Sequence, residues 1–142
     1  MKDRYLYRAW HIKRKKYYKV LHLHLGSPEG IWATCEGFDV IDDKKINIDI
    51  QPGEGIYEQC LGQEDKCAAL IYEGDVVKEG SSNRMKIVYW QKDGAQFRIG
   101  RHGNKTQYDK SMGILCASWL TVVGNIRENP ELMEETSCIK TA

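Results

Sequence analysis

Tyr72-Glu73-Gly74-Asp75-Val76-Val77 reads as a turn that runs directly into a core strand. Gly74 has no Cβ and takes a positive φ at no steric cost. Asp75 has a short carboxylate that can bond neighbouring backbone N–H groups and fix the turn. Val76 and Val77 are β-branched and suit a buried, extended segment. The stretch therefore describes scaffold better than it describes a site.

The same vocabulary recurs on both sides of it. Upstream, Ile56 to Leu61 reads as a short strand and Gly62 to Ala69 as a polar loop. Downstream, Met85 to Trp90 and Ala95 to Ile99 make a hairpin around Lys92-Asp93-Gly94, because Asp-Gly between apolar runs favours a tight hairpin turn. Residues 104–118 fit neither period. Leu120 to Ile126 reads as a strand carrying Gly124. Asn129 then looks like an N-cap, with Pro130 at the first helical position and Glu131 in the first turn, which predicts a short helix from Pro130 to about Glu135.

Nearer the N-terminus, Tyr5 to Trp10 alternates as a first strand, and His11-Ile12-Lys13-Arg14-Lys15-Lys16 reads as a charged turn. Tyr17 to Leu25 predicts a second strand with Leu21, Leu23 and Leu25 on one face and His22 and His24 on the other. Gly26 to Gly30 is a loop. Ile46-Asn47-Ile48-Asp49-Ile50-Gln51 is the cleanest alternation in the chain and predicts a half-buried strand. Gln51-Pro52-Gly53-Glu54-Gly55 stops it, since Pro donates nothing to a ladder and Gly supplies turn dihedrals. Short strands between turn signals predict a mostly β protein, either a small barrel or a sandwich.

The chain of 142 residues suits one domain or two small ones. Its four Trp and eight Tyr argue against disorder. The net charge of +1 hides blocks: residues 1–20 carry eight basic groups and one acid, and residues 29–75 carry three basic groups and twelve acids. Blocks of opposite sign can neutralise one another within a fold or between subunits, or leave a basic face for an anionic partner. The five Cys share no C-x-x-C spacing, so reduced thiols in a cytoplasmic setting are the simple expectation. No apolar run approaches the ~20 residues of a membrane helix, and the polar N-terminus resembles no targeting signal.

Candidate chemistry is sparse. His22 and His24 have a chelating spacing but no companion ligand, so solvent-facing histidines and no metal are expected. Cys60 and Cys67 flank a loop without an assignable base. Gly100-Arg101-His102-Gly103-Asn104-Lys105 is a basic loop whose N–H groups could meet an anion, although it lacks the P-loop pattern. Lys13, Arg14, Lys15 and Lys16, beside Trp10, Tyr17 and Tyr18, mix base with aromatic in a way that could hold phosphates and stack bases. With Arg101 and Lys105 they are the candidate anion or nucleic-acid contacts. No hydrolase, zinc-protease or dinucleotide fingerprint occurs, so no catalytic residue and no cofactor is assigned.

Three stretches resemble the YopX-like family of phage and prophage proteins. Tyr7-Arg8-Ala9-Trp10 before a basic turn is similar to the family's opening. Tyr57-Glu58-Gln59-Cys60-Leu61-Gly62 through Ile71-Tyr72-Glu73-Gly74-Asp75-Val76-Val77 resembles its central signature, and Val123-Gly124-Asn125-Ile126-Arg127-Glu128-Asn129-Pro130-Glu131-Leu132 its closing one. Cys67-Ala68-Ala69 stands where the family has a Gly-containing turn. The resemblance implies a β-rich chain whose C-terminal part is an SH3-like small barrel, phage-encoded, with no assigned activity. Residues 1–53 are then expected as an N-terminal β-rich part and 54–142 as the barrel with its terminal helix. The first functional reading is a non-enzymatic accessory protein that acts by protein interaction as a homo-oligomer, with a phage or host protein as a further partner. The second is nucleic-acid binding by a small barrel.

Overall fold

The computed structural model describes residues 6–92, 94–101, 110–111 and 117–133. The protein is mostly β, as the alternation predicts, and its chain divides into two units, one of residues 6–59 and one that begins at Cys60.

In the first unit, β1 (Tyr7–His11), β2 (Lys16–His24), β3 (Trp32–Asp39) and β4 (Lys44–Ile50) form an antiparallel meander. The start of β5 (Gly55–Glu64) returns to pair with β1, giving the order β4-β3-β2-β1-β5. The Gln51–Glu54 turn links β4 to β5: Glu54 N–H donates to Gln51 O at 3.0 Å, Gln51 N–H donates to Glu54 Oε1 at 2.8 Å, and Gly53 holds φ 84°. The core is Ala9, Tyr18, Ala33, Cys35 and Ile50, with Val20, Leu23, Ile48 and Tyr57 packed against it.

The register explains its packing. On β4, Ile46, Ile48 and Ile50 face Gly37, Cys35 and Ala33 of β3, so large side chains lie over small ones. A Cβ on Gly37 would sit 2.5 Å from Ile48 Cγ1 and overlap Cδ1. The strand β3 has little apolar alternation of its own and is not expected from its sequence. Its inward positions are small because β4 supplies the volume.

The expected leucine face of β2 needs correction. A bulge between Val20 and His22 inserts Leu21 as an extra residue and shifts the alternation by one. Leu23 therefore faces the core, while Leu21 and Leu25 are 42% and 67% exposed.

In the second unit, the end of β5 pairs with β6 (Leu70–Tyr72). β7 (Asp75–Glu79), β8 (Met85–Gln91), β9 (Gln96–Gly100) and β10 (Lys110–Ser111) form another meander. A 3₁₀ turn (Ala117–Trp119) leads into β11 (Leu120–Asn125), which returns beside β7 and gives the order β10-β9-β8-β7-β11. Leu61, Ile71, Val77, Val88, Ile99 and Leu120 form the core. Both units thus trace one path: four strands in succession, then a fifth beside the first.

The 72–77 stretch behaves as its residues dictate. Gly74 holds φ 88°, Asp75 Oδ2 accepts the Tyr72 N–H at 2.8 Å, and Val76 and Val77 are fully buried. Gly74 also donates its N–H to Val88 O at 2.8 Å and accepts the Ile126 N–H at 3.0 Å, tying the turn to β8 and to the end of β11. The hairpin of β8 and β9 forms as expected, with Ala95 N–H donating to Lys92 O; Asp93 itself lies outside the described residues. The expected barrel does not close: among the described residues this is an open sheet with β10 and β11 at its edges. One helical turn at residues 131–133 follows Asn129-Pro130, and the rest of the expected helix lies outside the described residues.

Ala68 takes φ 65° in the loop before β6. That left-handed geometry costs a residue with a Cβ about 1–2 kcal/mol. Ala68→Gly should therefore raise stability by roughly 0.5–1 kcal/mol, after the extra chain entropy of Gly is subtracted. Urea unfolding checks this, and a lower midpoint would contradict it.

Candidate interaction surface

The β1–β2 turn is built from its own side chains and backbone. His11 is buried, its carbonyl accepts the Lys15 N–H at 2.8 Å, and its Nδ1 accepts the Arg14 N–H at 3.1 Å. Lys15 takes φ 54° to close the turn. Lys13, Arg14, Lys15 and Lys16 are consequently held together, all exposed. Arg14 Nη1 donates to Tyr18 Oη at 3.2 Å, and this hydrogen bond holds the guanidinium pKa above its ordinary value. Lys16 Nζ lies 5.5 Å from the Tyr18 ring centroid.

The aromatic residues nearby are engaged elsewhere. Trp10 and Tyr17 meet edge to face at 5.0 Å, and the Arg8 guanidinium lies 4.6 Å from the Tyr17 centroid. Tyr18 is buried in the core. The rings that would stack bases are therefore parts of the packing. Arg101 lies in the other unit at the end of β9, half-buried. Lys105, with His102 to Asn104, lies outside the described residues. His24 stacks on Trp32 at 3.7 Å. Among the described residues no group of three or more His, Cys, Asp or Glu is placed to hold a metal ion, and no helix is long and apolar enough to cross a membrane.

Facing the basic turn is a feature that carries no motif in the sequence. The β3–β4 hairpin ends in Phe38-Asp39-Val40-Ile41-Asp42-Asp43. Asp39 Oδ1 accepts the N–H of Ile41 at 2.9 Å and of Asp42 at 3.2 Å, and Asp43 takes φ 51°. This fixes the tip with Phe38, Val40 and Ile41 at 53%, 83% and 92% exposure. The available signal was an apolar pair inside an Asp-rich turn, where polar residues are the norm.

Between turn and tip the sheet splits. The β2–β3 ladder ends at Lys19↔Glu36, while β2 stays paired to β1 as far as Lys16↔His11 and β3 to β4 as far as Asp39↔Lys44. Two adjoining hollows of about 270 and 350 Å³ occupy the split, sharing Lys16, Tyr18 and Phe38. Ile46 and Ile48 line the larger, and Lys19 and Lys45 the smaller.

The thiols differ in kind. Cys35 is fully buried, and burial, then the charge of Asp49, pushes its pKa up to about 11. Cys67 is exposed. At pH 8 an alkylating reagent should modify Cys67 well before Cys35, since the thiolate is the reactive form. Peptide mass mapping reads the order, and equal rates would contradict it.

Fold and surface define a two-unit antiparallel β protein with a mixed basic and apolar cleft in its first unit. The YopX protein family matches residues 6–134, and the chain belongs to that family. No curated protein matches it. Among solved structures it is similar to protein EF1440 from Enterococcus faecalis, with a TM-score of 0.58, 20% identity, and coverage of 90% of this chain and 96% of that one. At that identity the likeness speaks for a shared fold alone.

Proposed function

We propose that this YopX-family chain is a phage- or prophage-encoded accessory protein, non-enzymatic, that acts by protein interaction and works as a homo-oligomer. The observation that carries this reading is the hairpin tip, which holds Phe38, Val40 and Ile41 at 53%, 83% and 92% exposure on one short turn, a place where exposed apolar side chains mark interaction sites. Val40 and Ile41, its two most exposed side chains, are aliphatic and have no π face for a base, and Asp39, Asp42 and Asp43 around them repel phosphate, so protein suits this surface better than nucleic acid does. Each unit follows the strand order of SH3-like small barrels, which supports the same architecture in an opened form. Sedimentation of the full chain at physiological salt tests the reading and should give a mass above the monomer. A monomer, or salt-dependent binding to oligothymidylate or duplex DNA, would replace it.

A further inference from the structure

We infer that the self-association surface is a reciprocal one, in which the β3–β4 tip of each copy enters the split sheet of the other. The inference rests on the homo-oligomer reading above and names the surface that would serve it.

Both halves of such a contact are present on one chain. The tip offers two aliphatic side chains, Val40 and Ile41, within a row of carboxylates at Asp39, Asp42 and Asp43. The split offers apolar walls from Phe38, Ile46 and Ile48, with Arg14, Lys16 and Lys19 at its border. Not every charge there is available. Lys45 Nζ is 3.2 Å from Glu36 Oε1, Asp39 Oδ1 is occupied by its own turn, and Asp42 makes only a long, exposed approach of 4.0 Å to Lys44. The acidic tip therefore keeps Asp42 and Asp43 for an outside partner, and the cleft keeps Lys16 and Lys19. Apolar surface meets apolar surface, and negative meets positive.

Position supports this pairing. Tip and cleft adjoin within one unit, since Val40 and Ile41 flank the larger hollow. A twofold axis near the hollow would bring each tip to the other's cleft at once, which is the self-complementary condition for a closed dimer rather than a filament. On the far side from β4, Gly37–Asp39 have no ladder partner among the described residues, so an entering segment finds backbone groups as well as side chains.

Charge reversal in trans tests the geometry. Lys16→Glu and Asp42→Lys, each made in the full chain, should weaken self-association at least about tenfold by analytical ultracentrifugation. Mixed one to one, they should associate like the original protein, because each tip then meets a cleft of opposite sign. Circular dichroism of each variant verifies the fold. Val40→Asp with Ile41→Asp should give a monomer whose unfolding midpoint at low concentration is unchanged. If the native chain associates but the mixture does not recover, the reciprocal surface is wrong while the homo-oligomer reading stands. If the native chain is a monomer, both fall.

Discussion

Asp65→Ala should cost about 3–5 kcal/mol, the scale of stripping the partner from buried, charge-assisted hydrogen bonds. Asp65 is 6% exposed and its carboxylate accepts three backbone N–H groups: Cys67 at 2.8 Å, Ala69 at 2.9 Å and Val122 at 2.8 Å. The first two close the loop before β6, and the third holds that loop to β11. Alanine would leave all three donors without this acceptor, and a β-structure offers no easy substitute. Asp65→Asn keeps one acceptor oxygen and should cost about half as much. The protein also predicts an acid dependence. Burial raises the Asp65 pKa, but the N–H groups of Val122, Ala69 and Cys67, and then Lys66, outweigh it and hold the carboxyl below its ordinary value of 3.8. A lowered folded pKa gives stability that is present above the ordinary value and is lost as pH falls through the folded one. Urea unfolding from neutral pH down to pH 3 should show a shallower acid loss in Asp65→Asn. Hydrogen exchange should place the weakening in residues from Cys60 onward, and a loss below about 1 kcal/mol for Asp65→Ala would show that water replaces the acceptor.

The sequence made Asp75 legible and left Asp65 hidden, for a physical reason. Asp75 bonds Tyr72, three residues away, inside a Gly-Asp turn that advertises itself. Two of the bonds of Asp65 are equally local, but the one that joins the loop to β11 spans 57 residues. Range limits the rest in the same way. The alternation of Ile46, Ile48 and Ile50 was plain because each residue carries its own apolar side chain. The strand facing it was not, because Ala33, Cys35 and Gly37 are small to suit those isoleucines. The bulge at Leu21 depends on register against β3, which the leucine spacing alone cannot report. For the candidate surface, the basic half stood out as a run of Lys and Arg in sequence. The apolar half lies across a split between strands, and only the ends of two ladders reveal it.

Glu58→Ala should be comparably severe, at about 3–5 kcal/mol, because it breaks a charge pair at a buried carboxylate that also anchors a tyrosine hydroxyl. Glu58 is 3% exposed on β5, and its Oε1 accepts Arg8 Nε–H at 2.9 Å and Tyr17 O–H at 2.7 Å. Arg8 and Glu58 are register partners on β1 and β5, and Tyr17 reaches them from β2, so one carboxylate oxygen joins three strands. The Arg8 side chain is 17% exposed and also lies over the Tyr17 ring. Glu58→Gln retains the shape and an acceptor but loses the charge, and should cost about 1.5–3 kcal/mol. Replacing both Arg8 and Glu58 by Met separates two accounts. If the loss in Glu58→Ala comes from the broken Arg8–Glu58 charge pair, the double replacement should recover much of it, because apolar pairs often match buried ion pairs in stability. If the loss is the missing anchor for Tyr17, the double replacement should remain as weak as Glu58→Ala. Urea midpoints and Trp10 fluorescence read the outcome, since Trp10 packs on Tyr17 and reports that ring's position. The charge account predicts recovery of the midpoint with an altered Trp10 spectrum, because the Tyr17 hydroxyl has lost the Glu58 acceptor in either case.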